Sequence, residues 1–174
     1  NLDYFKRCIT LFIKDNFRNL QNLNVSYLWL TSIPEEFVIV NLKILDCSHN
    51  YLKSIPETFV NLNTLYCYEN RLISIPETLV NLKILDCSSN ELTSIPETLV
   101  NLTYLDCNRN ELTSIPETFV NLKSLACSRN KLMNISETFV NLKILNCSDN
   151  QITNIPHCLI NLTGLNCSGS GNRL

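Results

Sequence analysis

Apolar and polar positions alternate along this chain on two nested scales. On the short scale, Ile84, Leu85, Asp86, Cys87 and Ser88 alternate every second residue. That is the pattern of a strand with one buried face: Leu85 and Cys87 point one way, and Ile84, Asp86 and Ser88 the other. On the long scale the whole pattern recurs every 20 residues, so that NLKILDCSSNELTSIPETLV at 81–100 is followed by NLTYLDCNRNELTSIPETFV at 101–120. Units begin at Asn41, Asn61, Asn81, Asn101, Asn121, Asn141 and Asn161. An earlier, longer unit begins at Asn19 and keeps Leu20, Leu23, Val25, Leu30, Ile33 and Pro34 in register, with two extra residues near Ile39. In the last unit a two-residue insertion within Ser168–Gly171 lets Asn172 and Leu174 recover the step made earlier by Asn90 and Leu92.

A fixed period with one strand per unit predicts a solenoid in which each unit contacts only its neighbours. Parallel strands about 4.8 Å apart give a sheet roughly 35 Å long over seven or eight units. After each strand, Asn50, Asn70, Asn90, Asn110, Asn130 and Asn150 are placed to turn inward and bond the main chain of the bend, with Leu28 in their place in the first unit. The return path is too short for a long helix. Ser94, Pro96 and Glu97 predict one 3₁₀-like turn there, with Ser94 as its cap and Glu97 reaching back to it. Residues 1–18 leave the register, and Leu2, Phe5, Ile9, Phe12 and Ile13 fall at helical spacing, which predicts a capping helix before the solenoid at 19–174. No comparable shield follows Leu174, and the chain does not open with Met, so it is expected to be a piece of a longer one.

The unit LxxLxCxxNxLxxIPxxxx resembles the leucine-rich-repeat family, whose signature appears here as Leu82, Leu85, Cys87, Asn90 and Leu92. Six consecutive copies with identical spacing carry the resemblance over nearly the whole chain. It implies an α/β solenoid: a curved, right-handed horseshoe with a parallel sheet on its concave face and an extended or 3₁₀ convex side. The short period and the Ile-Pro step resemble the repeats of bacterial effectors. Cysteine at the third apolar position, in Asn- and Ile-rich wording, resembles repeat proteins of giant DNA viruses of amoebae. The resemblance implies a non-enzymatic, cytoplasmic module for protein–protein interaction, acting in a host cell if viral or bacterial.

Charge and composition narrow this further. Fourteen basic and sixteen acidic residues give no electrostatic reason to expect nucleic acid or an anionic membrane surface as partner. No apolar run approaches the roughly 20 residues a membrane span needs. All three glycines follow residue 163, which leaves no glycine-rich phosphate cradle before the last unit. Cofactors are not expected.

Nine cysteines invite a metal or a disulfide framework. Seven of them, Cys47, Cys67, Cys87, Cys107, Cys127, Cys147 and Cys167, form a column facing the core, where a small apolar side chain packs well and tetrahedral convergence on zinc is unavailable. They are read as structural, reduced thiols, and hence as a sign of a reducing compartment. Cys8 and Cys158 lie outside the column without an evident partner. His49, two residues from Cys47, is expected on the open edge while the thiol faces inward, so no Cys/His nucleophile is assembled, and His157 beside Cys158 meets the same objection. Asp46, Asp86 and Asp106 share one column and are read as solvated surface before any cation site. Six Asn-x-Ser/Thr sequons, at Asn24, Asn101, Asn134, Asn146, Asn161 and Asn166, are read as chance in a chain of this composition.

The outward strand positions vary while the framework hardly changes. One column runs Asn22, Ile44, Thr64, Ile84, Tyr104, Ser124, Ile144, Gly164, and the next Asn24, Asp46, Tyr66, Asp86, Asp106, Ala126, Asn146, Asn166. Later columns add Ser48, Tyr68, Ser88, Asn108, Ser128 and Ser148, then His49, Glu69, Ser89, Arg109, Arg129 and Asp149. Tyrosine and arginine anchor interfaces most often, so Tyr66, Tyr68, Tyr104, Arg109 and Arg129 are the candidate anchors, with Asp86, Asp106, Glu69 and His49 supplying charge selectivity. The expected partner is a protein. Two other roles fit the same surface: the substrate-targeting segment of a larger effector, such as a ubiquitin ligase, and a secreted or surface adhesion repeat.

Overall fold

The computed structural model describes residues 19–35 and 39–174. Each unit contributes one strand of three residues: β1 (Asn22–Asn24), β2 (Ile44–Asp46), β3 (Thr64–Tyr66), β4 (Ile84–Asp86), β5 (Tyr104–Asp106), β6 (Ser124–Ala126), β7 (Ile144–Asn146) and β8 (Gly164–Asn166). They form one eight-stranded sheet in chain order, every pair parallel. Equivalent residues face each other across it: Leu85 pairs with Leu65 on one side and Leu105 on the other. The unit period and the sheet register are therefore the same, and side chains separated by 20 residues stack in columns.

The core is a set of such columns. Leu45, Leu65, Leu85, Leu105, Leu125 and Leu145 project inward from the strands, followed by Cys47, Cys67, Cys87, Cys107, Cys127 and Cys147, all removed from solvent. Leu52 to Leu132 and Ile55 to Ile135 continue the core around the bend, and Phe59, Leu79, Leu99, Phe119 and Phe139 close it from the return side. The two-residue insertion at the end of the chain behaves as its spacing predicts. The amide of Ile152 donates to Asn172 Oδ1 at 2.9 Å, the bond that Leu132 makes to Asn150 one unit earlier.

The return path differs from the single capped turn the sequence predicts. It contains two separate reverse turns, closed for example by Leu99 N to Pro96 O at 3.3 Å and Leu102 N to Leu99 O at 3.2 Å. Ser94 and Glu97 do not bond each other among the described residues. Instead the carbonyl of Glu97 accepts Thr118 Oγ1 at 2.8 Å, so the segment is pinned to its neighbour and not to itself. The predicted capping helix over residues 1–18 lies outside the described residues.

Candidate functional site

The inward-turning asparagines make the sheet face possible. Asn110 is 7% exposed; its Oδ1 accepts the Leu92 amide at 3.0 Å and its Nδ2 donates to the carbonyls of Cys87, Cys107 and Asn108. Asn50, Asn70, Asn90, Asn130 and Asn150 repeat the arrangement. One side chain thus satisfies main-chain groups of two successive bends, which fixes the angle at which every strand is delivered. The thiols beside them are inert. Burial pushes Cys67, Cys87, Cys107 and Cys127 well above the ordinary thiol range and Cys147 to about 11. Cys47 Sγ donates to the Tyr66 carbonyl at 3.6 Å, on the far side of the sheet from His49. None of the described cysteines forms a disulfide. Among the described residues no three His, Cys, Asp or Glu side chains converge as metal ligands.

On the outward face, Tyr66, Tyr104, Asp86 and Asp106 come together on three adjacent strands. Tyr66 pairs in register with Asp86, and Asp86 with Asp106. Tyr104, 37% exposed, has its phenol raised by partial burial and then by the charges of Asp106 and Asp86. Asp86 is tied down on one side: Oδ1 accepts the amide and hydroxyl of Ser88 at 3.1 and 2.7 Å, an Asx turn that ends the strand. Asp46 does the same with Ser48, at 3.1 and 2.6 Å. Asp106 has only the Asn108 amide, at 3.0 Å, because Asn108 directs its own Oδ1 to Ser128. Burial, with a smaller contribution from Asp86, raises the Asp106 carboxyl to about 6.

The column after the strand is not the open row that strict alternation implies. Ser48 is 0% exposed and Ser148 is also buried, each folded back onto the preceding Asp46 or Asn146. The cause lies one residue on. His49, Glu69, Ser89, Arg109, Arg129 and Asp149 all have positive φ, between 50° and 54°, so the chain leaves the pleat there and alternation stops.

His49 and Glu69 nevertheless meet: Nδ1 lies 2.8 Å from Glu69 Oε2, and the imidazole edge faces Tyr68 at 4.9 Å. Arg129 lies 3.6 Å from Asp149, whereas Arg109 has no acidic partner among the described residues. Neither Arg109 nor Arg129 forms an ion pair with Asp86 or Asp106 among the described residues.

One cluster escaped the sequence reading. Tyr27 stacks on His49 at 4.0 Å, Trp29 tilts against Tyr51 at 5.9 Å, and the Arg71 guanidinium covers Tyr51 at 4.8 Å. Tyr27 and Trp29 both have positive φ and are 64% and 71% exposed. The available signal was the departure of the first unit from the repeat, where Tyr27, Leu28 and Trp29 stand at positions occupied later by the residue before Asn, the Asn itself and the residue after it.

The leucine-rich-repeat family model matches residues 41–62, 81–102, 101–122 and 141–162. No curated protein sequence matches the chain. Among solved structures, the chain is similar to the functional domain of InlJ from Listeria monocytogenes, described as including a cysteine ladder, with 27% identity and a TM-score of 0.72. It is similar also to YopM from Yersinia enterocolitica, with 27% identity and a TM-score of 0.65. A third likeness is the ectodomain of the plant membrane receptor kinase GASSHO1/SCHENGEN3 from Arabidopsis thaliana, in complex with CASPARIAN STRIP INTEGRITY FACTOR 2, with 28% identity and a TM-score of 0.67. The matches cover 90%, 85% and 79% of this chain but only 40%, 37% and 20% of those chains, so it spans well under half of each.

Proposed function

Because this chain belongs to the leucine-rich-repeat family, we propose that it is a protein-binding module that recognises a partner protein on the outward face of its eight-stranded sheet. The observation that carries the reading is the grouping of Tyr66, Asp86, Tyr104 and Asp106 on adjacent strands, half-open to solvent and mostly unused by the fold. The plant receptor ectodomain in complex with a protein factor supports the class of partner. Rigid-surface recognition needs no catalytic group, and binding alone is the proposed activity.

The test is capture of partners from host lysate on three proteins: the parent, a sheet-face variant carrying Tyr66→Ala, Tyr104→Ala and Arg109→Ala, and a return-side variant carrying Glu77→Ser and Glu97→Ser. All the changes are at partly or fully exposed sites, so circular dichroism should match. A protein kept by the parent and the return-side variant and lost by the sheet-face variant supports the reading. Equal retention by all three sinks it.

The proposed setting is a reducing, cytoplasmic one. Six of the column cysteines, Cys47 to Cys147, are too deeply buried to report on compartment; Cys167 is partly exposed, and Cys158 is exposed and free. Alkylation of freshly isolated native protein should label Cys158 quantitatively, and a mixed disulfide there would contradict the cytoplasmic setting.

A further inference from the structure

Within the strands β2 to β5 the outward charges are of one sign, with Arg109 and the His49–Glu69 pair lying just past the strand ends. Its central column carries Asp46, Asp86 and Asp106 with Tyr66 between the first two, and the column before it carries no charge. None of the three carboxylates has a basic partner among the described residues; the ion pairs there are His49 with Glu69, Arg129 with Asp149 and Lys131 with Glu111. Asp86 and Asp106 are direct register partners, and like charges placed opposite each other on neighbouring strands destabilise a sheet. Partner cations would relieve that repulsion. The Tyr66 and Tyr104 rings flanking the carboxylates add faces on which the stem of a long cationic side chain can lie.

Resting on the sheet-face reading above, we propose that the occupant is an extended basic segment of the partner protein, crossing the strands with one arginine or lysine over Asp46 and a second over the Asp86–Asp106 pair.

The geometry sets the spacing of those cations. Three strand intervals separate Asp46 from Asp106, about 14 Å at about 4.8 Å each, and four residues of extended chain advance about the same distance at about 3.4 Å each. Side chains at i and i+4 of an extended segment also share one face. The preferred pattern is therefore a basic residue, three others and a second basic residue, with the middle one of the three over Tyr66 and Asp86. Arginine suits the second position better than lysine, because its planar fork can bridge two carboxylates. An acidic segment or a nucleic-acid phosphate chain would meet uncompensated negative charge.

The test is fluorescence anisotropy on the intact chain with synthetic ten-residue probes: one with arginines at i and i+4 in a Ser/Thr/Val background, one with both arginines replaced by neutral citrulline, and one with the arginines at i and i+2. The spaced-arginine probe should bind at least tenfold more tightly than the citrulline probe and severalfold more tightly than the i,i+2 probe. The pair Asp86→Asn and Asp106→Asn, which keeps the acceptor for Ser88, should lose at least tenfold. The pair Glu77→Gln and Glu97→Gln on the return side, which removes as much charge, should lose nothing. Equal loss in both pairs, equal binding of the citrulline probe, or no binding up to millimolar concentration overturns the proposal. Hydrogen exchange separates its failure from that of the sheet-face reading. A citrulline probe that protects β3 to β5 equally well leaves the sheet-face reading standing without the charge, whereas protection confined to the return side removes both.

Discussion

Two surfaces of this solenoid are open to solvent, and only one is repetitive. On the return side, Glu97, Thr98, Val100 and Asn101 recur one unit later as Glu117, Thr118, Val120 and Asn121. On the sheet, Asp86 is followed by Asp106 and then Ala126, and Ile84 by Tyr104 and then Ser124. Exposure does not explain the contrast, since Val80, Val100, Val120 and Val140 are all exposed. The bonds do. Along the return side the side chains join the units: Thr98 Oγ1 reaches Glu77 O at 2.8 Å, Thr118 reaches Glu97, Asn101 Nδ2 reaches Val80 O at 2.9 Å and Asn121 reaches Val100. Across the sheet the main chain joins the units, as in Cys87 N to Asp106 O at 2.8 Å, and outward side chains bond between units only locally, as Ser128 does to Asn108 and Asn24 to Asp46. A surface stitched by side chains must repeat; one stitched by backbone is free to differ.

The sharpest way to break the comparison is to remove a stitch that serves both surfaces. Asn110→Ala deletes one accepted and three donated bonds and leaves the Leu92 amide without a replacement partner, while the carbonyls of Cys87, Cys107 and Asn108 keep Asn90, Asn130 and the Ser89 amide. The orphaned amide costs about 1–3 kcal/mol and the three donated bonds about 0.5–1.5 kcal/mol each, so a loss of about 3 kcal/mol or more is expected in urea unfolding. Because stability here is a sum over neighbouring units, the transition should also broaden as the two halves uncouple. A loss below about 1 kcal/mol would mean the asparagine column is not what sets the strand angle.

On the sheet the opposite sign is expected at one place. Asp106 titrates at about 6 in the folded chain, above the ordinary carboxylate value of 3.8, because burial disfavours its charge. The folded state therefore holds more proton than the unfolded state between about pH 4 and pH 6. This contribution favours folding at low pH and is lost as pH rises through about 6. Asp106→Asn should stabilise the protein at pH 7 by about 1 kcal/mol after allowance for solvent screening, and should flatten stability across that window. Thermal unfolding at pH 4, 5, 6 and 7 checks it. A destabilised Asn variant at pH 7 would show that the carboxylate serves the fold.

A smaller effect compares the surfaces directly. Thr98→Val removes the bond to Glu77 and should cost about 0.5–1 kcal/mol, whereas Tyr104→Ala, at a similarly open site, should change stability by no more than about 0.5 kcal/mol. Urea midpoints of the two variants measured side by side decide it. A larger loss at Tyr104 would mean the sheet face is also under structural constraint.

The legibility of these features follows from where their causes lie. The cysteine and asparagine columns were readable because a 20-residue period forces identical environments, and a small apolar or an amide side chain at such a position has few other uses. The two-residue insertion before Asn172 was readable for the same reason. The two turns of the return path were not, because Ser94, Pro96 and Glu97 are local capping signals, and the bonds that decided the outcome run to the adjacent unit. The left-handed residue before each asparagine left little signal: Glu69, Ser89, Arg109 and Arg129 are not residues that usually mark that conformation, and only His49 and Asp149 are. The Tyr27, Trp29 and Tyr51 cluster was hidden by the irregularity of the first unit, where the repeat gives no template.

That left-handed position offers the smallest and most discriminating test. Ser89 sits at φ 53° between the Asx turn of Asp86 and Ser88 and the half-buried Asn90, so its backbone belongs to the stitched framework while its side chain belongs to the outward face. A residue with a Cβ costs about 1–2 kcal/mol there, and glycine costs none, though glycine returns about 0.4–1 kcal/mol by freeing the unfolded chain. Ser89→Gly should therefore raise stability by about 0.5 kcal/mol, a rise of one or two degrees in melting temperature for a chain of this size. A gain would mean that every unit from His49 to Asp149 forgoes an available stabilisation at this position, and that histidine, glutamate and arginine stand there for what their side chains present at the edge of the sheet. A loss would mean that the serine is anchored by its surroundings, and that the framework extends one residue further onto the outward face than its bonds indicate.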